Sequence, residues 1–174
     1  MIRILETPRL NLRLLEEGDA EFYLELVTQP SWLRFIGNRG IETVEHARLA
    51  IAQGPLAMHA RYGFCLYLVE RRDDGEPLGI CGLIKRDTLP DVDIGFAFLE
   101  AHCGRGYAWE SASAVLEYGY AELGLRRLVA IVSPENAVSI KLIRKLGMRY
   151  EKQIRLTPEA KTVDLYARVF DARD

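Results

Sequence analysis

Hydrophobic residues in this chain recur with a period of two in some stretches and at helical spacing in others. From Arg9 to Leu14 the alternation is strict, with Leu10, Leu12 and Leu14 on one side and Arg9, Asn11 and Arg13 on the other. That pattern predicts a half-buried strand, entered through a strand-like segment that begins at Met1-Ile2-Arg3. Gly18-Asp19 supplies a turn and a helix cap, and Phe22, Tyr23, Leu26 and Val27 follow at helical spacing as far as Gln29-Pro30. Thr43 caps a second helix through Ile51, which Gly54-Pro55 breaks or kinks before Leu56 to Arg61 resumes it. Phe64 to Val69, Leu78 to Ile84 and Val92 to Leu99 are apolar runs parted by the turn signals Asp73-Asp74-Gly75 and Leu89-Pro90-Asp91. They predict an antiparallel meander, in which Gly79 and Gly82 mark a bulge or a close backbone approach.

The longest helical signal follows. Ala108, Ala112, Val115, Leu116, Gly119, Tyr120 and Leu123 form one apolar stripe, closed by Gly124. Leu128 to Val132 reads as a buried strand returning beside Val92 to Leu99. Asn136 caps another helix, carrying Ile140, Ile143 and Leu146 and ended by Gly147. Met148 to Leu156 and Val163 to Phe170 are the closing strands across Thr157-Pro158, the last of them expected at a sheet edge where two copies can pair. Monomer and homodimer both stay open. No repeat, linker or low-complexity stretch interrupts this order, so residues 1–174 are expected to form one domain. Its expected class is α/β with segregated elements (α+β): a mixed, mostly antiparallel sheet of about seven strands with about four helices packed on it.

Composition narrows the function classes. The chain has 174 residues, 49% of them hydrophobic and 28% charged, with a net charge of −2. Nothing there suggests a nucleic-acid partner, which calls for a basic surface, although Arg126-Arg127 and Lys141 to Lys145 leave room for a local basic pocket. No signal peptide or membrane span is visible, so a cytoplasmic protein with no membrane partner is expected. Cys65, Cys81 and Cys103 are odd in number, far apart and without metal-ligand spacing. They read as free thiols in a reducing compartment, and no metal is expected.

The chemistry concentrates between the third meander strand and the long helix, at Cys103-Gly104-Arg105-Gly106-Tyr107-Ala108. Alternate glycines let the backbone turn with its N–H groups uncovered. The helix start behind them adds unpaired donors and a partial positive charge. Such a loop holds a phosphate or diphosphate, with Arg105 as a cation at its rim; the plain alternative is a strand-to-helix turn. A mononucleotide P-loop is excluded because Tyr107-Ala108, not Lys-Ser/Thr, follows the last glycine. A dinucleotide fingerprint is excluded because Trp109 stands where a small residue is needed and because several strands come before the turn. The aromatic, basic segment Ser31 to Gly40 has two readings: a connection plugged into the core by Trp32 and Phe35, or one wall of a substrate pocket.

Taken together, Gly104-Arg105-Gly106-Tyr107-Ala108-Trp109-Glu110, Leu123-Gly124-Leu125, Asn136-Ala137-Val138-Ser139 and Lys145-Leu146-Gly147-Met148 resemble the GNAT superfamily of acetyl-CoA-dependent N-acetyltransferases. Glu6-Thr7-Pro8-Arg9-Leu10 and Arg34-Phe35-Ile36-Gly37 look like its ribosomal-protein-alanine N-acetyltransferase-like branch. The resemblance implies a sheet splayed at an acetyl-CoA cleft. The diphosphate would lie on the amides of Cys103, Gly104, Arg105, Gly106, Tyr107 and Ala108, and the pantetheine arm along Phe96, Ala97, Phe98 and Leu99. Family members often carry Gln, Arg or another polar residue where Cys103 stands, a departure that main-chain binding tolerates. Asn136, Ser139 and Lys145 would complete the coenzyme contacts, Asn136 serving equally as a plain helix cap.

The resemblance also implies a reaction: transfer of acetyl from acetyl-CoA to a primary amine, on a protein N-terminus or a small molecule, by direct attack in a ternary complex. Asp93 matches an acidic position of the family and is the candidate base, water being the alternative. Many members carry a tyrosine acid in the second helix; Ile143 stands there, which leaves Ser139 or water to protonate the thiolate. Trp32 and Phe35 would face the acceptor, with residues 54–63 and 156–161 also framing it. Two other outcomes remain open at this stage: a coenzyme-binding sensor without transfer, and a transferase using another donor such as succinyl-CoA.

Overall fold

The computed structural model describes residues 2–170. Its centre is an eight-stranded sheet in the order β1-β2-β3-β4-β5-β6-β8-β7. The strands are β1 (Arg3–Glu6), β2 (Leu10–Arg13), β3 (Leu66–Arg71), β4 (Pro77–Ile84), β5 (Val92–Phe98), β6 (Arg127–Val132), β7 (Arg149–Ile154) and β8 (Val163–Val169). The extended opening segment is a strand of its own, which brings the sheet from the expected seven or so to eight. Neighbours are antiparallel throughout, except that β5 and β6 run parallel. Parallel neighbours need a crossover, and α5 (Tyr107–Ala121) provides it.

Helices cover the sheet on both faces. On one side α5 and α6 (Ala137–Lys145) bury Val115, Leu116 and Ile143 against Leu12, Tyr67, Leu83 and Tyr166. On the other lie α1 (Ala20–Thr28), α2 (Pro30–Phe35) and α3 (Val44–Ile51), packing Leu26, Trp32 and Ile51 on Leu68 and Ile80. A π-turn at Ala52–Leu56 carries α3 past Pro55 into α4 (Ala57–Tyr62), so the predicted break is a kink in a continuing helix. Gly82 marks the predicted close approach: a β-carbon there would collide with the Cys65 carbonyl of β3.

Three local expectations are corrected by tertiary context. Asn11 and Arg13 were expected to face solvent, yet both are buried, because a helical layer covers that face of β2. Arg13 survives there by binding Glu70 through Nε (2.9 Å) and Asp19 through both terminal nitrogens (2.8 Å each). Asp19 in turn makes no side-chain cap to α1; its carboxylate serves Arg13 and the Glu16 amide (2.7 Å). Finally, β8 is not an edge. It inserts between β6 and β7, and the sheet ends instead at β1 and β7. The edge strand β7 is the charged Arg149-Tyr150-Glu151-Lys152-Gln153, the composition that discourages edge pairing.

Candidate active site

The site begins where the sheet comes apart. β5 and β6 pair only at Val92 with Leu128 and at Asp93 with Val129; beyond those pairs the two strands diverge. The Leu99 amide donates to Leu78 of β4 at 2.9 Å. Antiparallel bonding alternates along a strand, so Ala97 also faces β4, while the main-chain groups of Phe96 and Phe98 face the gap. Of the expected strand contacts, the polar main chain of Ala97 and Leu99 is therefore used within the sheet. The Phe98 carbonyl is also taken, by Gln29 Nε2 at 2.8 Å. The same Gln29 accepts from the Glu100 amide at 3.1 Å, and Glu100 accepts from the Ser31 amide at 3.1 Å. The start of α2 thus hangs from the end of β5.

A short 3-10 turn, Glu100–His102, follows. Its last bond directs the Cys103 amide to the Glu100 carbonyl (3.2 Å), so Cys103 does not belong to the open run of donors. That run starts one residue later and extends further than expected. Among the described residues the amides of Gly104, Arg105, Gly106, Tyr107, Ala108 and Trp109 have no hydrogen-bond partner. Gly104 and Gly106 sit at φ of +76° and +82°, backbone that strongly favours glycine, and Gly106 is the cap residue of α5 with no side chain to satisfy the first turn. The successive donors and the helix dipole make this concave backbone a place for an anion.

Residues far away in sequence hold the loop from behind. Glu110, in the first turn of α5, accepts from Thr7 Oγ1 (2.7 Å), the Arg9 amide (2.9 Å) and Arg9 Nε (2.6 Å). Burial pushes the Glu110 carboxyl up, but these bonds outweigh it and hold its pKa below the usual range. Arg9 also donates through Nη1 to the Arg105 carbonyl (3.1 Å) and lies 4.7 Å from the centre of the Tyr107 ring. Sequence reasoning missed Gln29 and Glu110. An acidic residue in a first helical turn is a legible signal, but not one that names its partners.

The second helix start is closed in the expected way: Asn136 Oδ1 accepts from the Ser139 amide at 3.2 Å. This leaves the Ser139 hydroxyl, on the half-buried side of α6, without a partner among the described residues. Ile143 is buried in the core under α6. Lys145 lies with Nζ 4.5 Å from the centre of the Trp109 ring, so it stacks on the first turn of α5.

Asp93 is enclosed. Its side chain is 2% exposed, and both oxygens lie on Arg86 Nε, at 3.2 and 3.3 Å. Burial pushes its pKa up and Arg86 pulls the other way, with burial dominant. Trp32 belongs to the core and its indole N–H is unpaired, whereas Phe35 is half-buried beneath Arg34, 4.8 Å away. A crevice of about 100 Å³ lies in this region, lined by Val27, Leu33, Asn38, Arg39 and Glu42 but not by Trp32 or Phe35. A wider groove, about 320 Å³, runs from Thr88 and Pro90 to Ile154 and Arg155, on the far side of β6 and β8.

A parallel strand pair that opens at its C-terminal end, with a helix of open amides at the mouth, is the architecture of an acetyltransferase, and the chain belongs to the GNAT family: the acetyltransferase (GNAT) domain matches residues 9–149. It is similar to the uncharacterized N-acetyltransferase YoaA of Bacillus subtilis, with 31% identity over 156 residues, 89% of this chain and 88% of the relative. Among solved structures it superposes on an acetyltransferase from Agrobacterium tumefaciens with a TM-score of 0.80 and 25% identity, covering 97% of this chain and 94% of that one. A ribosomal L7/L12 alpha-N-protein acetyltransferase in complex with coenzyme A shares the fold at a TM-score of 0.78 and 22% identity, over 98% and 99% of the two chains. No helix among the described residues is long and apolar enough to cross a membrane.

Proposed function

We propose that this N-acetyltransferase moves the acetyl group of acetyl-CoA to a primary amine by direct attack, with both substrates bound together. The carrying observation is the run of unpartnered amides from Gly104 to Trp109 at the mouth of the β5–β6 gap. In this reading the coenzyme diphosphate lies on those amides and the pantetheine arm enters the gap. The arm pairs with the main chain of Phe96, and the N–H of Phe96 or Phe98 receives the thioester oxygen as it gains negative charge. A preorganised donor of that kind is worth about 3 kcal/mol in the transition state. The Asn136 side-chain nitrogen Nδ2 is not used by its cap and is available to the coenzyme, and the Ser139 hydroxyl is the side-chain donor for the departing thiolate. Lys145 on Trp109 forms the floor between α5 and α6 rather than a phosphate contact.

Proton removal from the amine falls to water in this reading. Asp93 is closed off by Arg86, and a base must reach the proton directly or through one water. Asp93 then holds the paired end of β5 and β6. A site without an exposed base favours an acceptor with an appreciable neutral fraction near pH 7, and an α-amine, with a pKa of roughly 8, loses its proton far more readily than a lysine amine at about 10.4. The proposed acceptor is therefore a peptide or protein N-terminus, or a small amine of similarly low basicity, entering past Phe35 and the 36–43 connection.

The test is calorimetric titration with acetyl-CoA, followed by thiol release with peptide N-termini and small amines against a no-amine control. Saturable binding with amine-dependent release supports transfer. Binding without release from any amine supports a coenzyme sensor, the second reading, which Ile143 in place of a tyrosine acid favours. Absence of binding at high micromolar coenzyme defeats both.

A further inference from the structure

The segment Glu6-Thr7-Pro8-Arg9-Leu10 has so far only a structural account, and its geometry carries more. We infer that Arg9 is a positioning residue for the coenzyme diphosphate, setting the direction of a loop amide that the anion needs; this rests on the coenzyme-binding part of the proposed function. The argument starts from the peptide bond. It is planar and trans, so the carbonyl of Arg105 and the N–H of Gly106 point in opposite directions. Arg9 Nη1 holds that carbonyl at 3.1 Å, on the side of the β1–β2 corner. The Gly106 N–H is thereby turned away from the corner, and no protein acceptor takes it among the described residues.

Without that bond the plane between Arg105 and Gly106 is easily flipped, since the flip changes φ at Gly106 and glycine adopts either sign of φ at little cost. A flipped plane would present a carbonyl oxygen to the anion in place of a donor. The guanidinium is itself fixed against rotation. Nε is held by Glu110 at 2.6 Å, and Glu110 is held by Thr7 Oγ1 at 2.7 Å. Its face covers Tyr107, and Nη2 lies 3.3 Å from where a β-carbon on residue 106 would stand. Lysine cannot reproduce this arrangement, because it has neither the planar fork nor a second donor directed at the carbonyl.

The test compares a ligand that has the diphosphate with one that lacks it. Coenzyme A and pantetheine are titrated into wild-type protein, Arg9→Met and Arg9→Lys, with thermal melting recorded for each. Loss of one charge-assisted bond and its preorganisation predicts coenzyme A affinity about tenfold weaker in Arg9→Met and nearly as weak in Arg9→Lys, which keeps the charge but not the fork, with pantetheine affinity unchanged in both. Equal weakening for the two ligands would reduce Arg9 to a general structural tie and overturn the inference, as would unchanged coenzyme A affinity. Should Arg9→Met not fold, Arg9→Lys decides alone by the same ratio. Wild-type protein that bound no coenzyme A would end the functional reading and this one together. Wild-type binding with no selective loss in the variants would end only this one.

Discussion

Two helices start beside the open gap, and they complete their first turns in different ways. At α6 the chain caps itself: Asn136 accepts from Ser139, three residues on. At α5 the cap position is Gly106, which has no side chain, and the first-turn amides stay open. A helix that satisfies its own N-terminus has little left for a ligand. One that leaves it open must be secured from elsewhere, and α5 is secured by Glu110 reaching back to Thr7 and Arg9. The difference separates a helix end built for stability from one built for an anion.

Closing the open end should abolish the difference. Gly106→Asp supplies α5 with a capping carboxylate and puts negative charge where the diphosphate belongs, so coenzyme A affinity is expected to fall about 100-fold by calorimetry. Gly106→Ala is the matched control. It brings the left-handed strain and the 3.3 Å approach to Arg9 without the charge, and should lose less. Affinity equal to wild type in Gly106→Asp would place the anion elsewhere.

Opening the closed end should have a smaller effect. Asn136→Ala removes the α6 cap and is expected to cost about 1 kcal/mol of stability, read from denaturant midpoints. A coenzyme affinity loss beyond a fewfold would mean that Asn136 touches the ligand as well as the helix.

Acid sharpens the contrast most gently. Folding lowers the Glu110 pKa, so its contribution is complete above the ordinary carboxylate range and is lost as pH falls through the lowered value. The melting-temperature gap between wild type and Glu110→Gln should be full at neutral pH, begin to shrink as pH falls through the ordinary carboxylate range, and close only below the lowered value. A gap that instead opened on acidification would contradict the assignment of Glu110 as the ionised anchor.

The same two helix starts show what a sequence exposes. The α6 cap, the apolar stripe of α5 and the glycine turn before it are local patterns, and each was legible from residues within a few positions of one another. The parallel return of β6 beside β5 followed from chain connectivity alone. The bond from Arg9 to Glu110 spans 101 residues, and no periodicity reports it. Burial of Asn11 and Arg13 was hidden for a related reason: alternation in β2 records side-chain chemistry, not the helical layer that later covers the polar side. The interior placement of β8 reverses the sequential order of the last two strands; the charged composition of β7 was a legible sign of the edge, but the strand that reaches β6 is a tertiary choice. Asp93 was placed on the correct strand, but its enclosure by Arg86 comes from the turn before β5 and could be seen only in three dimensions.

The stacking of Lys145 on Trp109 has a practical consequence. The chain has 2 tryptophans. Trp32 is sealed in the interior, whereas Trp109 is 42% exposed at the rim of the gap. Their emission is therefore separable by colour and by quencher access, and the red, quenchable component reports from the doorway of the cleft without any added dye.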